Sequence, residues 1–482
     1  MFFEPPNLTE QYKKIIEDGA KNVITNYEFL RLEIEKWKNS AKRKEQITGE
    51  RYHNGFHDIL GRKRTAIGTG GNLIEIDNLP NNRIVDNQYR KTVDQKTNFL
   101  VGQPVVFSSE NKNYVEEVKE IFNEDFLRVL KALCVDCLNG GIAWIHPYYD
   151  EDGEFRFKRF APYEILPFWK DSEHTKLDFA VRVYEVKTYE GRQEKTTEKV
   201  EVYSANGVER LVFYQGKLIE DIENPSSDYI NIDGRGFNWA KIPLIPFKYN
   251  FGEVPLIRDV KALQDAINTM LSDFQNNMQE DSRNTILVIK NYDGENLGEF
   301  RRNLAAYGAV KVRDDGDVKA LAVEVNAENY KTLIELTKKE LIEVAKGYNA
   351  ADLRGGGAPN EMNIKSVFND INMDANAMEL EFTASLKALL WFVNVHLSNS
   401  GKGNFEKEKI NIIFNKDTIV NESQVIEDIK NSVGIVSEET LIENHPWVED
   451  VEGELEKIKK QRDEETKEMD YIIAPIDETD EK

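Results

Sequence analysis

The stretch DVKALQDAINTMLSDFQNNMQE, residues 259–280, decides how this chain is read. Val260, Leu263, Ile267, Met270 or Leu271, Phe274 and Met278 recur at intervals of three and four, the period of one helix face. Such a helix is about 33 Å long, and its apolar face is narrow and seam-like. A second helix of the same kind is predicted over about 327–346, with Tyr330, Leu333, Ile334, Leu341 and Val344 apolar. Between the two lies a short αβ pattern: a strand TILVIK, a turn YDGEN, a short helix LGEFRRNLAAY and a second strand GAVKVRDDGD. Two helices flanking a small module make a stalk with a tip.

Upstream, residues 10–40 read as helix, RYHNGFHDILGRKR as turns, and a further helix is expected to begin near Asn82. After Gly102, FRFKRFAP, FAVRVYEV, KVEVYSAN and ERLVFYQGK alternate apolar and polar residues between turn signals, the pattern of a half-buried antiparallel sheet. KIPLIPFKYN closes this region near residue 250. Downstream, GYNAADLRGGGAPNEMN has three consecutive glycines and a proline, which forbid regular structure. It lacks the Lys-Ser/Thr of a phosphate-binding loop and follows a helix, not a strand. A long helix comes next, over about 363–398, with Val367, Ile371, Ala375, Met378, Phe382, Leu386, Leu389 and Val393 on one face. A strand KINIIFN and a helical terminal region complete the chain, and the tail beyond Asp470 is expected to be disordered.

The 482 residues, 40% of them hydrophobic, suffice for a large core divided into two to four compact regions. No basic stretch followed by an apolar core opens the chain, and the most apolar segment, LKALLWFVNVHL, is shorter than the roughly 18 residues a membrane span needs. A soluble protein made in the cytoplasm is expected. The net charge of −23 argues against a surface that grips nucleic acid through its phosphates. Residues 437–482 carry 17 acids against 6 bases, whereas residues 31–64 carry 10 bases against 5 acids. Both read as solvated helical faces.

Chemistry is hard to find. Cys134 and Cys137 share helical spacing with Leu127, Leu130, Leu133 and Leu138, so they read as buried thiols without a disulfide or zinc partner. His53 and His57 stand four apart, but Gly55 between them and the lack of an intervening Glu favour a surface turn over a metal site. GxSxG, HExxH and GxxxxGK are absent, and acid pairs such as Asp314 and Asp315 fall in hydrophilic turns. No active site and no cofactor are expected. A nucleic-acid enzyme using the basic 31–64 region and the glycine loop stays as a rival; it predicts nucleotide hydrolysis or strand cleavage. Another rival is a different ring or scaffold component.

Two long stretches narrow the choice. One is NLPNNRIVDNQYRKTVDQKTNFLVGQPVVF, preceded by the Tyr-Gly turn and basic run of residues 52–64, with its Arg-Ile-Val-x-Asn start at 83–87 and Gly-x-Pro-Val end at 102–105. The other is IVSEETLIENHPWVEDVEGELEKIKKQ. In order and spacing they resemble the SPP1-like phage portal family along nearly the whole chain.

The resemblance implies an α+β, mostly helical portal fold that closes into a dodecameric ring around a central channel. Residues 1–251 would form a wing, 252–282 a stem helix, 283–322 a clip, 323–346 the second stem helix, 347–361 a tunnel loop, 362–416 the wing's long helix and strand, and 417–482 crown helices with an acidic tail. It further implies no catalysis and no membrane. The partners would be double-stranded DNA passing without sequence specificity, the terminase large subunit, a head-completion adaptor, and the major capsid and scaffold proteins. The location would be a capsid vertex of the virion, after assembly in the host bacterial cytoplasm, with a role in nucleating the procapsid. Asn349, Asp352, Leu353, Arg354, Gly355, Gly356 and Gly357 would face DNA, and Arg283, Arg301, Arg302, Lys311 and Arg313 would serve docking at the clip.

Overall fold

The computed structural model describes residues 27–67, 72–76, 79–232, 234–280, 285–292, 312–322, 327–349, 361–416, 422–448, 451 and 453–462. About half of these are helical, and the rest are strands and connections, a mixed α+β chain. They fall into two compact units, one drawn from residues 1–348 and 370–417 and the other from 349–369 and 418–482.

The first unit opens with α1 (Tyr27–Lys38) and α2 (Ala41–His53). The helix expected to end at Ser40 stops at Lys38 and restarts at once, because the Ser40 hydroxyl accepts from the Arg43 N–H at 3.2 Å and caps a new helix. The rest of that expected helix, from residue 10 to 26, lies outside the described residues. A short hairpin, β1 (Thr65–Ile67) and β2 (Leu73–Glu75), follows. Residues 81–87 form neither helix nor strand, and α3 runs over Gln88–Val101, six residues later than the expected start near Asn82. Asn87 caps it by accepting from the Arg90 N–H at 2.9 Å.

After β3 (Val106–Ser108) come α4 (Lys112–Ile121) and α5 (Glu124–Gly140), the latter capped by Asn123. Cys134 and Cys137 lie on the buried face of α5, as the spacing predicts, and burial pushes the Cys134 thiol up to about 12. Gly49 of α2 lies against α5, where an added Cβ would stand 2.2 Å from the Asn139 carbonyl oxygen, so the contact needs glycine.

The alternating segments form two antiparallel sheets. β4 (Ile142–Tyr149) pairs with β5 (Phe155–Phe160). β6 (Ile165–Trp169), β7 (Leu177–Glu190), β8 (Gln193–Ser204), β9 (Gly207–Tyr214) and β10 (Lys217–Glu220) form a five-stranded meander in sequence order. A small hairpin of β11 (Ile230–Ile232) and β12 (Arg235–Phe237) precedes β13 (Ile245–Lys248), which pairs with the other edge of β4. Leu30, Ile34 and Trp37 of α1 cover the inward face of the meander over Phe179, Val181, Val200, Val202 and Leu211. That contact removes these side chains from water and supplies the main driving force for docking α1 on the sheet.

α6 (Ile257–Glu280) leads to β14 (Thr285–Tyr292), β15 (Val312–Ala322) and α7 (Ala327–Val344). α8 (Glu361–Asn399) has 39 residues, about 58 Å of helix. Of its expected face, Ile371, Ala375, Met378, Phe382, Leu386, Leu389 and Val393 are all buried. β16 (Asn411–Ile413) returns to pair with β3. In the second unit, α9 (Glu422–Asn431) and α10 (Glu438–Glu443) are followed by a helix over 453–462, and Arg462 pairs with Glu438 at 2.5 Å. The tail beyond residue 470 lies outside the described residues.

Candidate functional site

The feature on which a function can be hung is the α6–α7 hairpin, with its tip, its base and the point where the chain leaves it. The two helices run antiparallel. Near the far end of α6, the Phe274 ring lies 5.3 Å from that of Tyr330 at the start of α7, and Asn277 Nδ2 donates to the Tyr330 hydroxyl at 3.2 Å.

The apolar stripe read on α6 is only partly used for packing. Val260 and Ile267 are fully buried, while Met278 is 51% exposed. The face buried along the helix is polar: Gln264, Asn268, Ser272 and Asn276, four residues apart, are 1% exposed or less. Their partners are backbone N–H groups of the segment before α3 and of its first turn. Asn276 Oδ1 accepts from the Asn82 N–H at 2.7 Å, Ser272 Oγ from Ile84 at 2.9 Å, Asn268 Oδ1 from Asp86 at 3.0 Å and Gln264 Oε1 from Tyr89 at 2.9 Å. From Asn82 to Asp86, every second N–H meets one rung of the helix, and the Tyr89 N–H in the first turn of α3 meets the fourth. This is why residues 82–87 do not begin a helix: the N–H groups of Asn82, Ile84 and Asp86 find partners on a neighbouring helix instead of four residues back along their own chain.

His57 joins the same ladder. It is 2% exposed, not part of a surface turn as its spacing suggested. Its ring stacks on Tyr52 with centroids 4.3 Å apart, and its nitrogens meet the Tyr52 carbonyl at 3.0 Å and Asn268 Nδ2 at 2.8 Å. Because Asn268 Nδ2 donates, the ring accepts there and donates to the Tyr52 carbonyl, and burial lowers its pKa. His53, at the end of α2, meets Asp94 at 3.3 Å, and the two histidines bind different partners. Among the described residues no cluster of His, Cys, Asp or Glu is arranged to hold a metal ion.

At its base the hairpin is tied to the sheet region through Glu253, which is 5% exposed and has a left-handed φ of 52°. Two lysines and a histidine surround its carboxylate: Lys42, His174 at 2.7 Å and Lys248 at 3.4 Å. Burial alone would raise its pKa, but the His174 hydrogen bond and the Lys42 charge outweigh that and hold it at about 2. Gly141 is obligatory beside it. Its φ is 76°, and an added Cβ would stand 2.2 Å from the Glu253 carbonyl oxygen.

Where the chain leaves α7, the buried Lys96 on α3 meets Asp374 on α8 at 2.6 Å. Burial would raise Asp374, but Lys96 and Lys346 hold it below the usual carboxylate range. At the tip, β14 and β15 pair as expected, but β15 is 312–322, several residues beyond the expected strand. The pairing skips from Lys290↔Asp317 to Tyr292↔Val312, so RDDG bulges out with Asp315 at a φ of 64°. The expected strand GAVKVRDDGD ends at Asp317, with Asp314 and Asp315 read as a hydrophilic turn; that turn is a bulge within a strand that continues to Ala322.

Arg313 lies in that bulge and is exposed. The other clip residues, Arg283, Arg301, Arg302 and Lys311, lie outside the described residues, as does the expected short helix over 297–307. Of the residues expected to face DNA, Asn349 is described and half-buried; Asp352, Leu353, Arg354, Gly355, Gly356 and Gly357 lie outside the described residues. The basic 31–64 stretch is spent within the fold. Lys38 pairs with Glu198, Lys42 with Glu253, Arg51 with Asp58, Arg62 with Asp273 and Lys63 with Glu75, while Arg43 donates to the Tyr163 carbonyl. Among the described residues no helix is long and apolar enough to cross a membrane.

Residues 33–468 match the model of a family described as phage portal protein, SPP1 Gp6-like. The class is therefore that of phage portal proteins, structural components of the virion and not enzymes. The chain belongs to the SPP1 Gp6-like portal family. It is similar to the portal protein of Bacillus phage SPP1, with 31% identity over 94% of this chain and 90% of that one. It is also similar to the portal protein of Clostridium phage phiCD119, with 26% identity over 87% of this chain and 93% of that one.

Proposed function

We propose that this chain is one subunit of a closed dodecameric ring at a capsid vertex, through which double-stranded DNA is packaged and later ejected. The observation that carries the reading is the uncovered apolar surface of the hairpin. Leu333 and Leu336 on α7 are 53% and 59% exposed, Met278 on α6 is 51% exposed, and Leu263, Met270, Leu271 and Phe274 are only half-buried. Stem helices that leave apolar side chains uncovered need a neighbour, and a head-to-tail contact that closes gives a ring. In this reading α6 and α7 are the stem, residues 283–322 the clip, 347–361 the tunnel loop and 417–482 the crown, with the wing built from residues 1–251 and 362–416.

A ring of chains each carrying −23 presents an anionic wall. Such a wall repels phosphate and lets DNA slide, with its field damped within about 8 Å at physiological salt. Arg354 is the cation of the loop, and a ring of Arg354 side chains makes transient phosphate contacts. Packaging that is unchanged in an Arg354→Ala chain would remove that contact from the account. The clip docks the terminase large subunit during packaging and the head-completion adaptor afterwards; the wing and crown meet capsid and scaffold proteins and help nucleate the procapsid. Charge reversal by Arg301→Glu with Arg302→Glu is expected to weaken terminase capture by the assembled ring. Undiminished capture would exclude these two arginines from the docking surface.

A further inference from the structure

The chain leaves α7 through a left-handed residue that is not glycine. Lys346 has a φ of 51°, its N–H donates to the Glu343 carbonyl at 3.0 Å, and the Gly347 N–H donates to the Ile342 carbonyl at 2.8 Å. That pair of bonds is the helix ending in which glycine normally takes the left-handed position. Here glycine stands one residue later, and a lysine bears the strain. Such a conformation persists only where its surroundings over-determine it.

The surroundings do so from both sides of the residue. Lys346 Nζ meets Asp374 Oδ1 at 3.1 Å, and the Lys346 carbonyl accepts from Lys96 Nζ at 3.4 Å. Lys96, 4% exposed, also reaches Asp374 Oδ2 at 2.6 Å, and that oxygen accepts from the Tyr249 hydroxyl at 3.0 Å. Two residues on, the Tyr348 carbonyl accepts from Gln95 Nε2 at 3.2 Å. A glycine at 346 would adopt the same backbone at no steric cost; for a lysine, the Asp374 contact and the Lys96 bond to its carbonyl offset that cost.

We infer that Lys346 and Asp374 form a latch that fixes the direction in which the chain leaves the second stem helix, which makes Asp374 a positioning residue for the loop that follows. The latch is a property of the folded chain. Only its consequence for DNA rests on the portal reading.

The test is limited trypsin digestion of the full-length protein, following the Lys346–Gly347 bond by mass spectrometry. Trypsin needs an extended backbone and a lysine side chain it can bind; the helix ending denies the first, and Asp374 competes for the exposed ammonium. Asp374→Asn is expected to speed that cut about ten-fold or more, because the cut tracks the population of the opened root, while cuts elsewhere stay near parental rates. Lys346→Arg, which keeps the ion pair and remains a trypsin site, is expected to stay as resistant as the parent. Should Asp374→Asn fail to fold, Lys346→Gln removes only the exposed arm, and chymotryptic cutting at Tyr348–Asn349 is expected to rise by the same order.

A root as resistant in Asp374→Asn and Lys346→Gln as in the parent would overturn the latch. In particles, Asp374→Asn is expected to reduce DNA packaging, and adding Lys346→Gly to restore it, since glycine needs no tie. An opened root with packaging unchanged would support the latch and count instead against the loop's contact with DNA.

Discussion

Replacing Glu253 with glutamine is expected to destabilise the folded chain by about 3–5 kcal/mol, the cost of breaking a buried ion cluster by removing one partner. The carboxylate is buried among Lys42, His174 and Lys248, and Lys248 is itself only 7% exposed. Glutamine keeps the shape of the side chain but leaves Lys248 buried without a counter-charge. The loss is measured as a lower urea midpoint at unchanged slope. It carries a pH signature as well. The folded pKa of about 2 lies below the ordinary 4.5, so the carboxylate's contribution is complete above about pH 4.5 and fades as pH falls from there towards 2. The gap between parent and variant should therefore be full at neutral pH and shrink across that window. A gap that stays constant down to low pH would mean that the cluster does not hold the hairpin's base.

Placing aspartate at Leu333 and Leu336 together is expected to abolish ring assembly while the subunit stays folded. Both side chains are more than half exposed in the single chain, so folding gains little from them and loses little without them. In the ring each would be covered by a neighbour, and burying an unpaired carboxylate there costs several kcal/mol at every interface. Sedimentation of the variant should show monomers with a native circular dichroism spectrum. Rings that form at parental concentration would mean that this face of α7 looks into solvent or the channel, and that the subunits meet elsewhere.

How much of this could be read in the sequence depends on what kind of interaction holds each part. Elements held by apolar burial announce themselves. The α8 face of Ile371, Met378, Phe382 and Leu389 and the alternation in β7 and β8 were legible residue by residue. Elements held by side-chain-to-backbone hydrogen bonds did not. Gln264, Asn268, Ser272 and Asn276 look like a solvated helix face, and residues 82–87 look like a helix start, until one is laid against the other. Four polar residues at intervals of four beside an apolar stripe were the available signal, and that spacing does not name a partner. His57 was misread for the same reason, since its place is set by Asn268, 211 residues away. The latch shows the limit most plainly. Lys346 before Gly347 suggests that glycine ends the helix, and only the position of Asp374 explains why lysine does.

If the α6–α7 hairpin belongs to a ring, the ring itself can be seen. Electron-microscope imaging of the purified full-length protein, with averaging of end-on and side views, tests it most directly. The expected image is a closed ring of portal subunits with an axial hole and a narrowed stalk, and α6 and α7 of successive subunits packed around the stalk. A compact monomer at every concentration would contradict it.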